Sequence, residues 1–224
     1  MKLAIINGSP RGKKSNSKIL TDHFLKGYNS LCPDIVSVNY LVNSKLQEES
    51  KNVFRDAETV IIIFPLYTDC MPGIVKEFFE HISECEISRS KKMGFIVQSG
   101  FPEAIHSIYV ERYLEKFTKR LKCHYLGTII KGGVEGIQIM PPSMTKKLFG
   151  KFEALGKYFA KTSTFSAEIK ESLRKPLKMS PLNAFLFDAI SKTGLTNFYW
   201  NKNLKENRAY HKRFDKPYCV KTSS

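Results

Sequence analysis

The chain has 224 residues, with 36 Lys and Arg against 21 Asp and Glu, giving a net charge of +15 at pH 7. Its 42% hydrophobic and 25% charged residues are an ordinary globular mixture, which excludes a disordered or collagen-like chain, and this length buries a core without disulfide or metal staples. Stretches free of Asp, Glu, Lys and Arg end at ten residues, as in Thr59–Thr68, half of the roughly 20 that a membrane-spanning helix needs.

Apolar and amphipathic runs alternate along the chain. Leu3–Ile6 predicts a short buried strand ending at Asn7-Gly8, and from Asn16 the residues Ile19, Leu20, Phe24, Leu25 and Tyr28 fall at helical spacing. Ile35–Leu41 reads as a second strand. A polar helix near Ser50–Arg55 leads to Thr59–Phe64, the most hydrophobic strand of the chain. Ile74, Val75, Phe78, Phe79 and Ile82 form the face of another helix. Met93–Gln98 predicts a fourth strand, followed by a helix with Ile105, Ile108, Tyr109, Leu114, Phe117 and Leu121 inward. His124–Lys131 predicts a fifth strand, and Leu148, Phe152, Leu155 and Phe159 mark a fifth helix.

Five strand–helix repeats imply an α/β fold, a parallel sheet covered by helices on both faces. At this length the pattern matches the flavodoxin-like, doubly wound, five-stranded sheet of order 2-1-3-4-5, assigned to residues 1–164. Residues 165–224 break the pattern. They hold Pro176, Pro181 and Pro217 and nine of the 27 aromatic residues, including the only tryptophan, Trp200. Such an aromatic-rich C-terminal extension is expected to pack on the domain or at a dimer interface.

The extension carries 12 basic and 5 acidic residues, so +7 of the +15 lies there and the rest is spread along the chain. No helix-turn-helix, zinc-finger or RNA-binding motif accompanies the charge. The expectation is a solvated basic surface with a general attraction for phosphorylated ligands, and no nucleic-acid partner. Cys32, Cys70, Cys85, Cys123 and Cys219 are odd in number and never spaced Cys-x-x-Cys. They read as reduced, mostly buried thiols, with no metal site. Nor do His23, His81, His106, His124 and His211 have metal-ligand spacing. The N-terminus turns polar too soon for a signal peptide, so a cytoplasmic setting is expected.

In an open parallel sheet, ligands bind beyond the carboxyl ends of the strands where strand order reverses, here between strands 1 and 3. The two most unusual loops follow those strands. The first, Gly8–Ser17, combines two glycines with Ser9, Arg11, Ser15, Asn16 and Ser17 and opens a helix. That composition suits an anion: backbone N–H groups, hydroxyl donors, a guanidinium and a helix N-terminus converge. The plainer alternative is a turn and an N-cap, which needs only one of those serines. The second loop, Pro65–Gly73, places Leu66, Tyr67 and Met71 where polar turn residues belong. They suit the walls of a flat ring, or else simply cap the core.

Asn7-Gly8-Ser9-Pro10-Arg11 with Ser15-Asn16-Ser17, then Pro65-Leu66-Tyr67 with Met71-Pro72-Gly73, resembles the NAD(P)H-dependent FMN reductase family across about residues 1–162. The resemblance implies non-covalent FMN, with Ser9, Arg11, Ser15, Asn16 and Ser17 on its phosphate. Pro65, Leu66, Tyr67, Thr68 and Met71 would line the isoalloxazine, and Ser99, Gly100 and Phe101 would close on its pyrimidine side. Lys131-Gly132-Gly133 would lie at the same sheet edge. Tyr67 and Phe101 are the candidates for facing substrate, while no side chain is singled out as catalytic. Cys70 reads as a buried spectator, and the Asp69 side chain is expected to face solvent.

The implied activity passes hydride from NADPH or NADH to bound flavin and on to a small acceptor, a flavin, quinone or similar, by a ping-pong mechanism. Hydride transfer to a flavin needs no side-chain base, in keeping with the lack of a Ser-His-Asp or Cys-His constellation. Homodimers are common in the family, so a homodimer is expected. The alternative is a flavodoxin-like electron carrier without NAD(P)H activity. The basic stretch Lys146–Lys178 would attract the phosphates of NADPH, although no residue within it is distinctive in sequence.

Overall fold

The computed structural model describes residues 2–33, 36–194 and 197–216. Five strands, β1 (Leu3–Asn7), β2 (Ser37–Tyr40), β3 (Thr59–Pro65), β4 (Lys92–Gln98) and β5 (His124–Lys131), form one all-parallel sheet of order β2-β1-β3-β4-β5. This is the expected doubly wound order. Between and after them run α1 (Asn16–Asn29), α2 (Ser44–Asp56), α3 (Gly73–Ser83), α4 (Ile108–Arg120), α5 (Pro142–Thr162) and α6 (Ala167–Arg174).

Alternate residues of each central strand feed opposite faces, as the pleat dictates. Val60, Ile62 and Phe64 of β3 join Phe54, Phe78, Phe79, Leu114 and Phe117 on the face covered by α2, α3 and α4. Ile61 and Ile63 join Leu20, Phe24, Phe152, Leu155 and Phe159 on the face covered by α1, α5 and α6. Burial on both sides explains why β3 is apolar without alternation. Against that second face, α1 and α5 approach backbone to backbone through Gly27 and Gly156. A Cβ on either would lie 1.9 Å from a carbonyl oxygen of the other helix.

Three expectations shift. The second strand is shorter than predicted, Ser37–Tyr40, and Ile35 lies outside the described residues. The second helix is longer, starting at the Asn43 cap, whose side chain accepts from the Leu46 N–H. Tyr109 does not turn inward: it is 73% exposed, and the core side of α4 is Val110, Leu114 and Phe117. A 3-10 turn, Ala104–Ser107, precedes α4 and resets the phase of the face, leaving Ile105 exposed as well.

The chain divides into two compact units, residues 1–178 and 179–224. The first runs fourteen residues beyond the boundary expected from composition, because Phe165 packs on Phe159, with ring centroids 5.3 Å apart, and α6 buries Leu173. In the second unit, α7 (Pro181–Lys192) starts at a Ser180 cap with Pro181 in its first turn, and α8 (Phe198–Glu206) follows. Leu182, Phe185, Leu186, Phe187 and Ile190 of α7 are all exposed. Pro217 and Cys219 lie outside the described residues. No helix among those described is long and apolar enough to cross a membrane.

Candidate functional site

The first loop leaves β1 at Asn7, whose buried side-chain oxygen accepts from the Ser9 N–H at 2.9 Å. The Gly12 N–H then donates to the Ser9 carbonyl at 2.9 Å. Gly12 holds φ +52°, a conformation glycine adopts without strain. Ser15 caps α1: its hydroxyl accepts from the Lys18 N–H at 3.1 Å and donates to the Gly12 carbonyl at 2.6 Å. One serine therefore does serve the helix. Ser17, fully buried, lies 3.4 Å from the Gln98 amide nitrogen.

Asn16 reaches the other way. Its amide nitrogen donates to the Val134 carbonyl at 2.8 Å, and its side-chain oxygen is buried with no partner. Arg11 lies 3.7 Å from Glu135, both partly exposed.

The second loop forms a tight turn. The Tyr67 N–H donates to the Cys70 carbonyl (2.8 Å) and the Cys70 N–H to the Tyr67 carbonyl (3.0 Å). Thr68 and Asp69 between them both hold positive φ, 49° and 58°, as a type I′ turn demands. Such a turn consumes the outer N–H groups and leaves those of Thr68 and Asp69 for a ligand. A β-branched residue at positive φ is strained, and strain of this kind gathers at ligand clamps. Cys70 is exposed, not buried as expected. It sits on the outer arm of the turn, whereas Met71 is buried in the core. Asp69 is mostly exposed, as expected, and pairs with His106 at 3.2 Å.

The third loop is tied to both neighbours. The Ser99 N–H donates to the Lys131 carbonyl (3.0 Å) and the Val134 N–H to the Ser99 carbonyl (3.0 Å). Phe101 stacks on His106 with ring centroids 4.5 Å apart. His106 thus joins the third loop to the Tyr67–Cys70 turn, a structural role its sequence position did not announce. Gly132 and Gly133 serve this contact too: the Gly133 N–H donates to the Phe101 carbonyl, and a Cβ at Gly132 would strike that same oxygen.

These loops enclose one cleft at the carboxyl edge of the sheet. Ser9, Arg11 and Asn16 line it from the first loop, Pro65, Leu66 and Tyr67 from the second, and Ser99 and Gly100 from the third. Ser15, Ser17, Thr68, Met71 and Phe101 do not line it. Gln98 and Glu135 do, and neither was anticipated. A polar residue closing the apolar strand β4 was the available signal for Gln98. For Glu135 the signal was an acid just after the Gly132-Gly133 turn.

The cleft encloses about 40 Å³. Beside it Tyr67 and Phe101 are 43% and 47% exposed, a rim on which the ring of a flavin mononucleotide would rest. The unpartnered Asn16 oxygen, the spare N–H groups of the turn and the apolar Leu66 and Tyr67 fit the polar and flat parts of such a molecule. Among the described residues no group of three or more His, Cys, Asp or Glu is placed to hold a metal ion.

A family model described as a flavodoxin-like fold matches residues 1–148. None of the curated proteins matches the chain. Similar solved structures include an NAD(P)H:quinone oxidoreductase from Methanothermobacter marburgensis, 13% identical with a TM-score of 0.55, covering 70% of this chain and 96% of that one. An FMN-dependent NADH-azoreductase from Bacillus anthracis, solved in complex with FMN, is 17% identical with a TM-score of 0.51, covering 71% and 100%. A Trp repressor binding protein from Bacillus subtilis is 17% identical with a TM-score of 0.53, covering 72% and 98%. At these identities the likeness is one of fold.

Proposed function

The chain belongs to the flavodoxin-like fold family, and from that premise we propose that it is an FMN-dependent NAD(P)H oxidoreductase acting on a small acceptor. The observation that carries this reading is the cleft at the β1/β3 switch point, where an anion-suited loop and an apolar, strained turn meet. The names of similar structures, quinone and azo reductases among them, support it.

In this reading the Ser9 hydroxyl and the Arg11 guanidinium hold the FMN phosphate at the start of α1, while Ser15 and Ser17 shape the loop from behind, Ser15 as the helix cap and Ser17 against Gln98. The Asn16 side-chain oxygen accepts from a hydroxyl of the ribityl chain. Pro65, Leu66 and Tyr67 form the apolar wall for the ring, with Met71 packed in the core behind them, and the Thr68 and Asp69 N–H groups meet its polar edge. Ser99, Gly100 and Phe101 close the opposite side. Tyr67 and Phe101 exclude water from the face where substrates stack. The chemistry that bound FMN supplies is two-electron transfer, in which hydride leaves NADPH or NADH in one half-reaction and reaches a flavin, quinone or similar acceptor in the next. The protein contributes orientation and fixed dipoles, and no side chain needs to move a proton.

A homodimer fits this reading, supported by the row of exposed apolar residues on α7. A cytoplasmic setting fits it as well, since Cys32, Cys70, Cys85 and Cys123 are free thiols. The test is to load the protein with FMN and mix it anaerobically with NADPH and with NADH. Loss of the visible flavin band with at least one of them is expected. A band unchanged by both would overturn the enzyme reading and favour an electron carrier served by a partner protein.

A further inference from the structure

On the α5 side of the sheet, four lysines from three elements converge on one cavity of about 240 Å³, far more than the roughly 30 Å³ that a water occupies. Lys131 ends β5, Lys147 and Lys151 stand one turn apart on α5, and Lys175 follows α6. No carboxylate lines the cavity, and among the described residues none of the four lysines forms an ion pair. Glu111, the acid packed against α6, is already engaged by Lys170 at 3.1 Å and Arg174 at 2.5 Å. The Lys151 ammonium donates to the Ser172 carbonyl at 3.1 Å, which anchors it without neutralising it.

Like charges at i and i+4 on a helix repel, and here two more ammoniums face the same space. Burial, then the neighbouring Lys151 charge, holds Lys131 below the usual lysine range. Lys151 is lowered by its own burial and then by Lys147 and Lys175. An arrangement that costs stability when empty of anions is relieved by a multiply charged one.

We propose that this cavity is a binding site for a phosphate monoester or pyrophosphate group, separate from the flavin cleft. Compact ammoniums carrying three donors each match a tetrahedral dianion better than a planar carboxylate. Leu148, Leu173 and Met144 line the same hollow, so its four lysines are gathered at one place and not strung along a strip, which favours a discrete anion over the continuous backbone of a nucleic acid. It adjoins the flavin cleft through the Ser99–Lys131 backbone hydrogen bond. Its occupant is therefore either the phosphate of a nucleotide reaching over from that cleft, which rests on the function proposed above, or an independent phosphorylated molecule.

The experiment is calorimetric titration of the full chain in saturating FMN, which fills the phosphate site of the flavin cleft, with pyrophosphate at low and moderate salt. The wild type is expected to bind one pyrophosphate per chain, more weakly as salt rises. Lys147→Gln with Lys151→Gln should weaken it about 100-fold. Lys157→Gln with Lys161→Gln, an equal loss of charge on the exposed side of α5, should change it by less than about threefold. FMN uptake should be equal in all three proteins. If the KM for NADPH rises in the first variant while that for NADH stays, the occupant is the nucleotide's phosphate. If pyrophosphate binding is lost with both KM values unchanged, it is a separate molecule. Absence of pyrophosphate binding to the wild type at millimolar concentration, or equal losses in the two variants, would overturn the proposal. The binding arm decides the matter even if NADPH proves not to be a substrate.

Discussion

Asn16 and Val134 stand 118 positions apart, yet the Asn16 amide nitrogen donates to the Val134 carbonyl oxygen at 2.8 Å. This bond ties the loop after β1 to the loop after β5 across the carboxyl edge of the sheet, and so fixes the width of the cleft. Replacing Asn16 by Ala removes it and a weaker bond to the Glu135 carbonyl at 3.4 Å. Leaving the buried carbonyl unpaired should cost about 1–3 kcal/mol of stability. Urea unfolding measures that loss, and FMN affinity should fall with it.

Glu135 competes for the same guanidinium that the phosphate would use, lying 3.7 Å from Arg11. Glu135→Gln removes the competitor and a negative charge from the cleft. FMN should bind several-fold more tightly, with the gain largest at low ionic strength, because both partners are partly exposed. Flavin fluorescence titration at two salt concentrations checks this.

Thr68 holds φ 49° in the tight turn, a region where asparagine is far better tolerated than a β-branched residue. Thr68→Asn should therefore stabilise the protein by about 0.5–1 kcal/mol, raising Tm by roughly 2 °C for a chain of this size. FMN binding should persist, since the turn offers backbone N–H groups there. A thermal melt with and without FMN reads both effects.

Burial holds the Tyr125 hydroxyl, 2.8 Å from the Thr128 hydroxyl, protonated up to about 12. An unfolded tyrosine ionises near 10, so between those values the folded state retains a proton that the unfolded state has lost. Stability from this group is complete below pH 10 and declines as pH climbs toward 12. Tyr125→Phe should remove that part of the alkaline decline. Denaturant midpoints at pH 8 and 11 for both proteins test the sign.

Much of this architecture was legible because fully buried parallel strands write continuous apolar runs, as Val60–Phe64 does, and their helices write clean one-sided faces. The two loops stood out because Leu66, Tyr67 and Met71 are apolar where turns are polar. What escaped depends on geometry that periodicity does not carry. The 3-10 turn before α4 rotated Tyr109 out to solvent. Cys70 reads as buried in sequence but is exposed, because it closes a tight turn with Tyr67 whose central residues, Thr68 and Asp69, hold positive φ that composition does not announce. Glu135 and the four-lysine cavity arise from contacts between distant segments, which composition blurred into a general basic character.

The most direct measurement is a titration of flavin-free protein with FMN and, separately, with riboflavin, which lacks the phosphate. If the first loop grips a phosphate while the Tyr67 turn takes the ring, FMN should bind at one per chain and about 100-fold more tightly than riboflavin. Arg11→Ala should shrink that difference by roughly tenfold. Equal affinity for the two flavins, or binding of neither, would contradict the account.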